Sequence, residues 1–210
     1  MPSQAPCPPL YKQHYIDKGH ERTDLFRKLA SKYDVHNALY PGSFVDIAPS
    51  FVIERVVYVD NFRTARPFFA DPATLAYIRA RKEYPGEPCV VFHPNDYRHP
   101  FDETPESFDL LISQYAGFIS APCKNYLKIG GILVANDSHG DASMAHLDPD
   151  FEFIAVARRR GDRFGLSEKN LEQYFVPKKE IEVTPELLRE TGKGIAYTRW
   201  ASNYVFRRTR

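Results

Sequence analysis

Five short apolar runs constrain the fold of this chain more than any other feature. They are Val56-Val57-Tyr58-Val59-Asp60, Cys89-Val90-Val91-Phe92-His93, Phe108-Asp109-Leu110-Leu111-Ile112-Ser113, Ile132-Leu133-Val134-Ala135-Asn136 and Phe151 to Ala157. Each has strand length and is apolar nearly throughout, whereas a strand wetted on one face alternates polar and apolar residues. Such runs belong to parallel strands covered on both sides. Residues 37–40 (Asn-Ala-Leu-Tyr) form an earlier strand candidate, and 171–176 and 195–206 are weaker ones. Helical patterns lie between them. Residues 20–33 carry Leu25, Phe26, Leu29 and Tyr33 on one stripe. Residues 64–82 end at Tyr84-Pro85-Gly86, and 118–127 place Pro122 in a first turn. One or two helical turns fit 142–147, and Pro185 to Glu190 has Thr184 as a cap and Gly192 as a stop. This alternation predicts an α/β fold: a Rossmann-like, mostly parallel sheet with helices on both faces, its last strands free to run antiparallel. Four of the 17 prolines fall in residues 1–10. The expected organisation is therefore an irregular arm over 1–19 followed by a single domain over 20–210.

Composition narrows the class. The chain has 210 residues, 43% of them hydrophobic, with 15 Phe and 13 Tyr, enough for a sizeable core. No apolar run approaches the roughly 18 residues that span a bilayer, and the N-terminus lacks a basic start followed by an apolar stretch. Three widely spaced cysteines suit a reduced compartment, with Cys89 expected in the core and Cys123 on a helix. The expected location is cytoplasmic, with no membrane partner. The net charge of +1 hides an asymmetry: residues 1–154 carry 15 Lys/Arg against 20 Asp/Glu, whereas residues 155–210 carry 13 against 7. Two readings of the basic part, which includes Arg158-Arg159-Arg160, Arg163 and Arg207-Arg208-Thr209-Arg210, stay open. It contacts nucleic acid, or it is a solvated basic face or one attracted to the chain's own acidic part. Trp200 lies in this region, and core packing is expected for it over base stacking.

In open parallel sheets the ligand crevice lies beyond the carboxyl ends of the strands, where the strand order switches. Polar or glycine-bearing loops follow several strands here: Pro41-Gly42-Ser43, Asp60-Asn61, Pro94-Asn95-Asp96, Gln114-Tyr115 and Asn136-Asp137-Ser138-His139. Gly42 allows a close turn and a close backbone approach. Asp60, ending a strand, suits two hydrogen bonds from ribose hydroxyls, and Asp96 suits an adenine amino group. Each also has a plainer role as a turn residue.

This arrangement resembles the class I S-adenosylmethionine-dependent methyltransferases over about residues 20–160. Val56 to Asp60 looks like that family's second strand with its ribose-binding acid, and Phe108 to Ser113 like its fourth. Leu127-Lys128-Ile129-Gly130-Gly131 looks like its helix-turn-strand before the fifth strand. The family's glycine-rich loop corresponds to Ala38 to Asp46. There Tyr40 stands in place of the family's acid, Phe44 and Asp46 stand near its later small residues, and Gly42 is the glycine retained. The resemblance implies S-adenosyl-L-methionine as cofactor, held by Gly42, Ser43, Asp46, Asp60, Asn61, Asp96 and Gln114, with Asp46 supplying a displaced carboxylate. Methyl transfer needs alignment and water exclusion, plus a base where the acceptor is a hydroxyl. His139 is the candidate base, flanked by Asp137, and Tyr115 the candidate wall of the acceptor pocket; imidazoles exchange protons near neutral pH. No metal site is expected, because His139, Asp137 and Asp141 are too close in sequence to surround one ion. The implied partner is a small-molecule acceptor. The alternative is a catalytically silent member of the fold that binds a nucleotide-like ligand, nucleic acid or a partner protein. A dinucleotide oxidoreductase lacks its G-x-G-x-x-G, and a hydrolase its G-x-S-x-G.

Overall fold

The runs form strands, the first four close to their predicted limits and the last two longer: β1 (Asn37–Pro41), β2 (Arg55–Val59), β3 (Cys89–His93), β4 (Phe108–Ser113), β5 (Leu127–Ala135) and β6 (Phe151–Arg160). Two more, β7 (Arg163–Ser167) and β8 (Asn203–Arg208), complete the sheet seen in the computed structural model, which describes residues 5–210. The order is β3-β2-β1-β4-β5-β8-β6-β7. β1 to β5 pair in parallel, and β8 runs antiparallel between β5 and β6. Strand side chains alternate between faces, and here both faces are buried. Ala38, Tyr40, Val56, Tyr58, Leu110, Ile112, Ile132 and Val134 join one core, and Leu39, Val57, Val59, Leu111, Leu133 and Ala135 the other. That two-sided burial is the physical reason the runs are apolar throughout.

The first core is closed by α1 (Pro9–Tyr11), by α2 (Thr23–Tyr33) through Leu25, Phe26 and Leu29, and by two helices, α3 (Ala65–Ala70) and α4 (Pro72–Arg81). The break between α3 and α4 falls at Asp71, which leaves helical geometry and caps α4 by accepting from Ala73 N at 2.8 Å, with Pro72 in the first turn. The second core is closed by α5 (Ser120–Cys123), α6 (Asp141–Leu147) and aromatics such as Tyr174, Phe175 and Tyr197. The last helix, α7 (Pro185–Thr191), is capped by Thr184 and stopped by Gly192, whose φ is 59°.

Several expectations are corrected. Within the arm, residues 9–16 are helical rather than irregular: α1 continues as a π-helical turn over Lys12–Ile16, and Tyr11 is fully buried against Phe51 and Tyr77. Residues 1–4 of that arm lie outside the described residues. Leu127 to Gly131 is already strand, because Leu127 pairs with Phe108, so no helix precedes the two glycines directly. β6 is longer than expected and turns through Gly161 into β7, a hairpin that its run of arginines disguised. Residues 171–173 are 3-10 helix, and the final strand starts only at Asn203. Cys89 and Trp200 are exposed rather than core, Cys89 because β3 is an edge strand. Among the described residues, no helix is long and apolar enough to cross a membrane.

Candidate ligand-binding site

The strand order reverses at β1, which lies between β2 and β4. The loops leaving these three strands form the floor of two adjoining clefts, of about 580 Å³ and 400 Å³. Gly42, Phe44 and Tyr115 line both.

The crossover from β1 to β2 is short and holds a single 3-10 turn, Ala48–Phe51. It leaves β1 through Gly42, whose φ is +63°. A Cβ on Gly42 would lie 2.1 Å from the Cβ of Ala116, so this glycine lets the β1 and β4 loops touch. Phe44 (φ 50°) and Tyr115 (φ 58°) hold left-handed conformations that are costly for aromatic residues. Asp60 restrains the first of them. Its Oδ2 accepts from Phe44 N at 2.7 Å, and its Oδ1 accepts from Phe62 N at 2.7 Å. Edge-to-face contacts then run from His14 to Phe44 and from Phe44 to Phe62, at 5.0 and 5.3 Å.

The smaller cleft is lined by Asp60, Asn61, Phe62, Tyr97 and Ala116 besides the shared residues. Each oxygen of Asp60 uses one acceptor position on a backbone amide, and an ionised carboxylate offers about four in all.

The larger cleft is deeper and cationic. Its innermost charge is Arg22, at the start of α2, which donates to Asp46 at 2.5 Å and to Tyr40 Oη at 3.2 Å. Tyr40 Oη also donates to Asp46 at 3.0 Å. The guanidinium lies 5.6 Å from the ring centres of both Tyr15 and Tyr115. Burial and the Asp46 carboxylate together push the Tyr40 hydroxyl well above the usual tyrosine range. Gln114 is fixed at its oxygen, which accepts from Asn203 Nδ2 at 2.9 Å. Three buried polar atoms on residues lining this cleft have no hydrogen-bond partner: Arg22 Nε, Ser43 Oγ and Gln114 Nε2. Buried polar groups are normally satisfied, and among the described residues three of the unpartnered ones belong to this cleft.

The structure thus brings Gly42, Ser43, Asp60, Asn61, Gln114 and Tyr115 to the clefts. It leaves four sequence candidates outside them. Asp46 is fully buried behind Arg22. Asp96 turns outward to Arg98, whose guanidinium holds the carboxyl down at about 2. Asp137 accepts from Ser143 N and Oγ at 2.8 and 2.9 Å, and burial raises it to about 6. His139 is exposed and lines neither cleft. The imidazoles that do line the larger cleft are His14 and His20. Sequence reading missed these, and Arg22 and Lys18 with them, because they precede the first strand and reach the ligand edge only when α1 and α2 pack there. The arginine run gave a signal for Arg159, but not its direction. Part of the remaining basic region is tied to the chain itself. Arg208 pairs with Glu106 at 3.2 Å and donates to Leu127 O, and Arg210 pairs with Asp150 at 3.4 Å.

No family model and no curated protein matches the chain. Solved structures resemble it in fold. A candidate O-methyltransferase from Klebsiella pneumoniae is 11% identical, with a TM-score of 0.50 over 77% of this chain and 88% of its own. A candidate caffeoyl-CoA O-methyltransferase from Staphylococcus aureus is 10% identical, with a TM-score of 0.52 over 75% and 90%. With its strand order and its antiparallel strand between β5 and β6, the chain has the class I methyltransferase fold.

Proposed function

We propose that the chain is an S-adenosylmethionine-dependent methyltransferase acting on a small molecule. The observation that carries this reading is Asp60: an acid at the carboxyl end of β2, facing a cleft at the switch in strand order, with acceptor positions left on both oxygens. The residues present fit the cofactor. Asp60 is suited to a ribose diol, with Asn61, Phe62 and Tyr97 around the nucleoside. Ser43 Oγ and Gln114 Nε2, both unpartnered, are suited to the polar amino-acid end. When bound, the cofactor supplies a methyl group already activated as a sulfonium. The chain's own task is to align the acceptor and exclude water. Tyr115 is placed to wall the acceptor side, being 63% exposed and shared by both clefts. For a hydroxyl acceptor, His14 and His20 are better placed than His139 to take a proton.

Titration calorimetry with S-adenosylmethionine and S-adenosylhomocysteine tests the reading. Stoichiometric binding is expected, weakened about 10-fold or more in Asp60→Asn, the scale of a hydrogen bond to a charged group. Absence of heat and of thermal stabilisation with both compounds would overturn it. The contact of Ala116 with Gly42 favours a second reading, a silent member of the fold, since that contact fills the space beside the glycine with protein. Binding of S-adenosylhomocysteine with no methyl transfer across an acceptor screen would favour that alternative.

A further inference from the structure

The charges around the larger cleft do not balance. Lys18, Arg22 and Arg159 line it, with His14 and His20, and no Asp or Glu does. Arg22 is neutralised from behind by Asp46. Arg159 is held by carbonyls instead: its guanidinium donates to Gly19 O and to Gly161 O. The acid near it, Asp162, is 3.8 Å away and 99% exposed, so it screens weakly. The Lys18 side chain is exposed and has no ion pair or hydrogen bond among the described residues. Two cations therefore face the cleft without a buried acid to answer them, and a concave wall of one sign concentrates ligands of the other.

The unpartnered atoms point the same way. Arg22 Nε and Gln114 Nε2 are donors only, and Ser43 Oγ can donate. Their residues are 8%, 3% and 1% exposed, so water reaches them poorly. Arg22, with its unpartnered Nε, lines the same cleft as Lys18 and Arg159, and three cationic side chains on one cleft suit an anionic group. The walls are aromatic, formed by Tyr15, Phe44, Tyr115 and Phe164, which suits an apolar or planar body carrying that group.

We propose that the larger cleft binds a small molecule with a carboxylate, phosphate or sulfate head, read by Lys18, Arg159 and Arg22. Calling this molecule the methyl acceptor rests on the methyltransferase reading; its binding does not. The cofactor brings no net negative charge. Its carboxylate is offset by its own ammonium, and its sulfonium adds one more positive charge. An acceptor that brings negative charge resolves the imbalance.

Benzoate, phenyl phosphate and phenyl sulfate are the probes, with benzamide as the uncharged control, titrated calorimetrically with and without saturating S-adenosylhomocysteine. At least one anion is expected to bind about 10-fold or more tightly than benzamide, with affinity falling as salt rises. Lys18→Gln should weaken that anion about 3-fold, and Lys18→Gln with Arg159→Gln about 10-fold or more. Lys18 is exposed, so its single variant folds and reports even if the double variant does not. S-adenosylhomocysteine should leave anion binding in place. Anions no tighter than benzamide, or affinity unchanged in Lys18→Gln, overturn the site. Displacement by S-adenosylhomocysteine overturns the acceptor assignment and gives the subsite to the cofactor's carboxylate. If S-adenosylhomocysteine gives no heat while an anion binds as described, the methyltransferase reading fails and the anion site stands.

Discussion

Two polar regions lie at the carboxyl edge of this sheet, and they treat their polar groups oppositely. Beyond β5, the loop from Asn136 to Asp141 closes on itself. Asp141 accepts from Ser113 Oγ at 2.5 Å and from Ser120 Oγ and N at 2.6 and 3.1 Å, while Asp137 holds Ser143. Beyond β1 and β4, Ser43 and Gln114 keep atoms unpartnered, and Phe44 and Tyr115 keep strained backbones. The first region reads in sequence as the richer site, with two acids around a histidine. In space its two acids are bonded to Ser113, Ser120 and Ser143, and the plainer loops line the clefts. Polar density along the chain is therefore a poor guide to a site; what marks one is polar capacity left unused after folding.

Mutations can break this contrast, and the largest effect is expected on the closed side. Asp141→Ala strands several buried donors of Ser113 and Ser120, and should cost about 3–5 kcal/mol in chemical denaturation. A cost near zero would mean that Asp141 does not hold those donors.

A smaller effect separates Asp137 by pH. Burial raises its pKa from 3.8 to about 6, so folding favours the neutral acid. Its contribution to stability is fully present below about pH 4 and is lost as pH rises through about 6. The stability of Asp137→Asn relative to the natural chain should therefore shift by on the order of 2 kcal/mol between about pH 4 and 7, in favour of the variant at the higher pH. Denaturation at several pH values measures this, and parallel curves for the two proteins would refute it.

The smallest effect belongs to the open side. Ser43→Ala removes a buried hydroxyl that has no partner, so the unfolding free energy should change by less than about 0.5 kcal/mol or rise slightly. Ligand affinity in the larger cleft should fall nonetheless. A large loss of stability would show that the hydroxyl is satisfied in the protein and that the contrast between the two regions is weaker than drawn.

Much of this was legible along the chain. The continuous apolar runs predicted a sheet buried on both sides, which holds for β1, β2, β4 and β5, while the run of β3 lies half-exposed at the edge. Thr184, Pro185 and Gly192 marked a helix correctly, since caps act within a few residues. Asp60 was placed by its position at a strand end. Local signals failed where distant segments meet. Nothing near Arg22 announces Asp46, 24 residues on, and nothing near Gly42 announces Ala116. The arginines of β6 looked like a solvated tract, yet Arg159 lines the cleft while its neighbour Arg158 donates to Tyr174 Oη.

The sequence by itself determined the α/β class, the mostly parallel sheet and the edge at which the two clefts open, because periodicity and strand ends are local properties of the chain. Only the tertiary structure decided which polar groups are spent and which remain. A carboxylate or amide is satisfied by whichever donor or acceptor packs against it, and that partner is chosen by the closing of the whole fold.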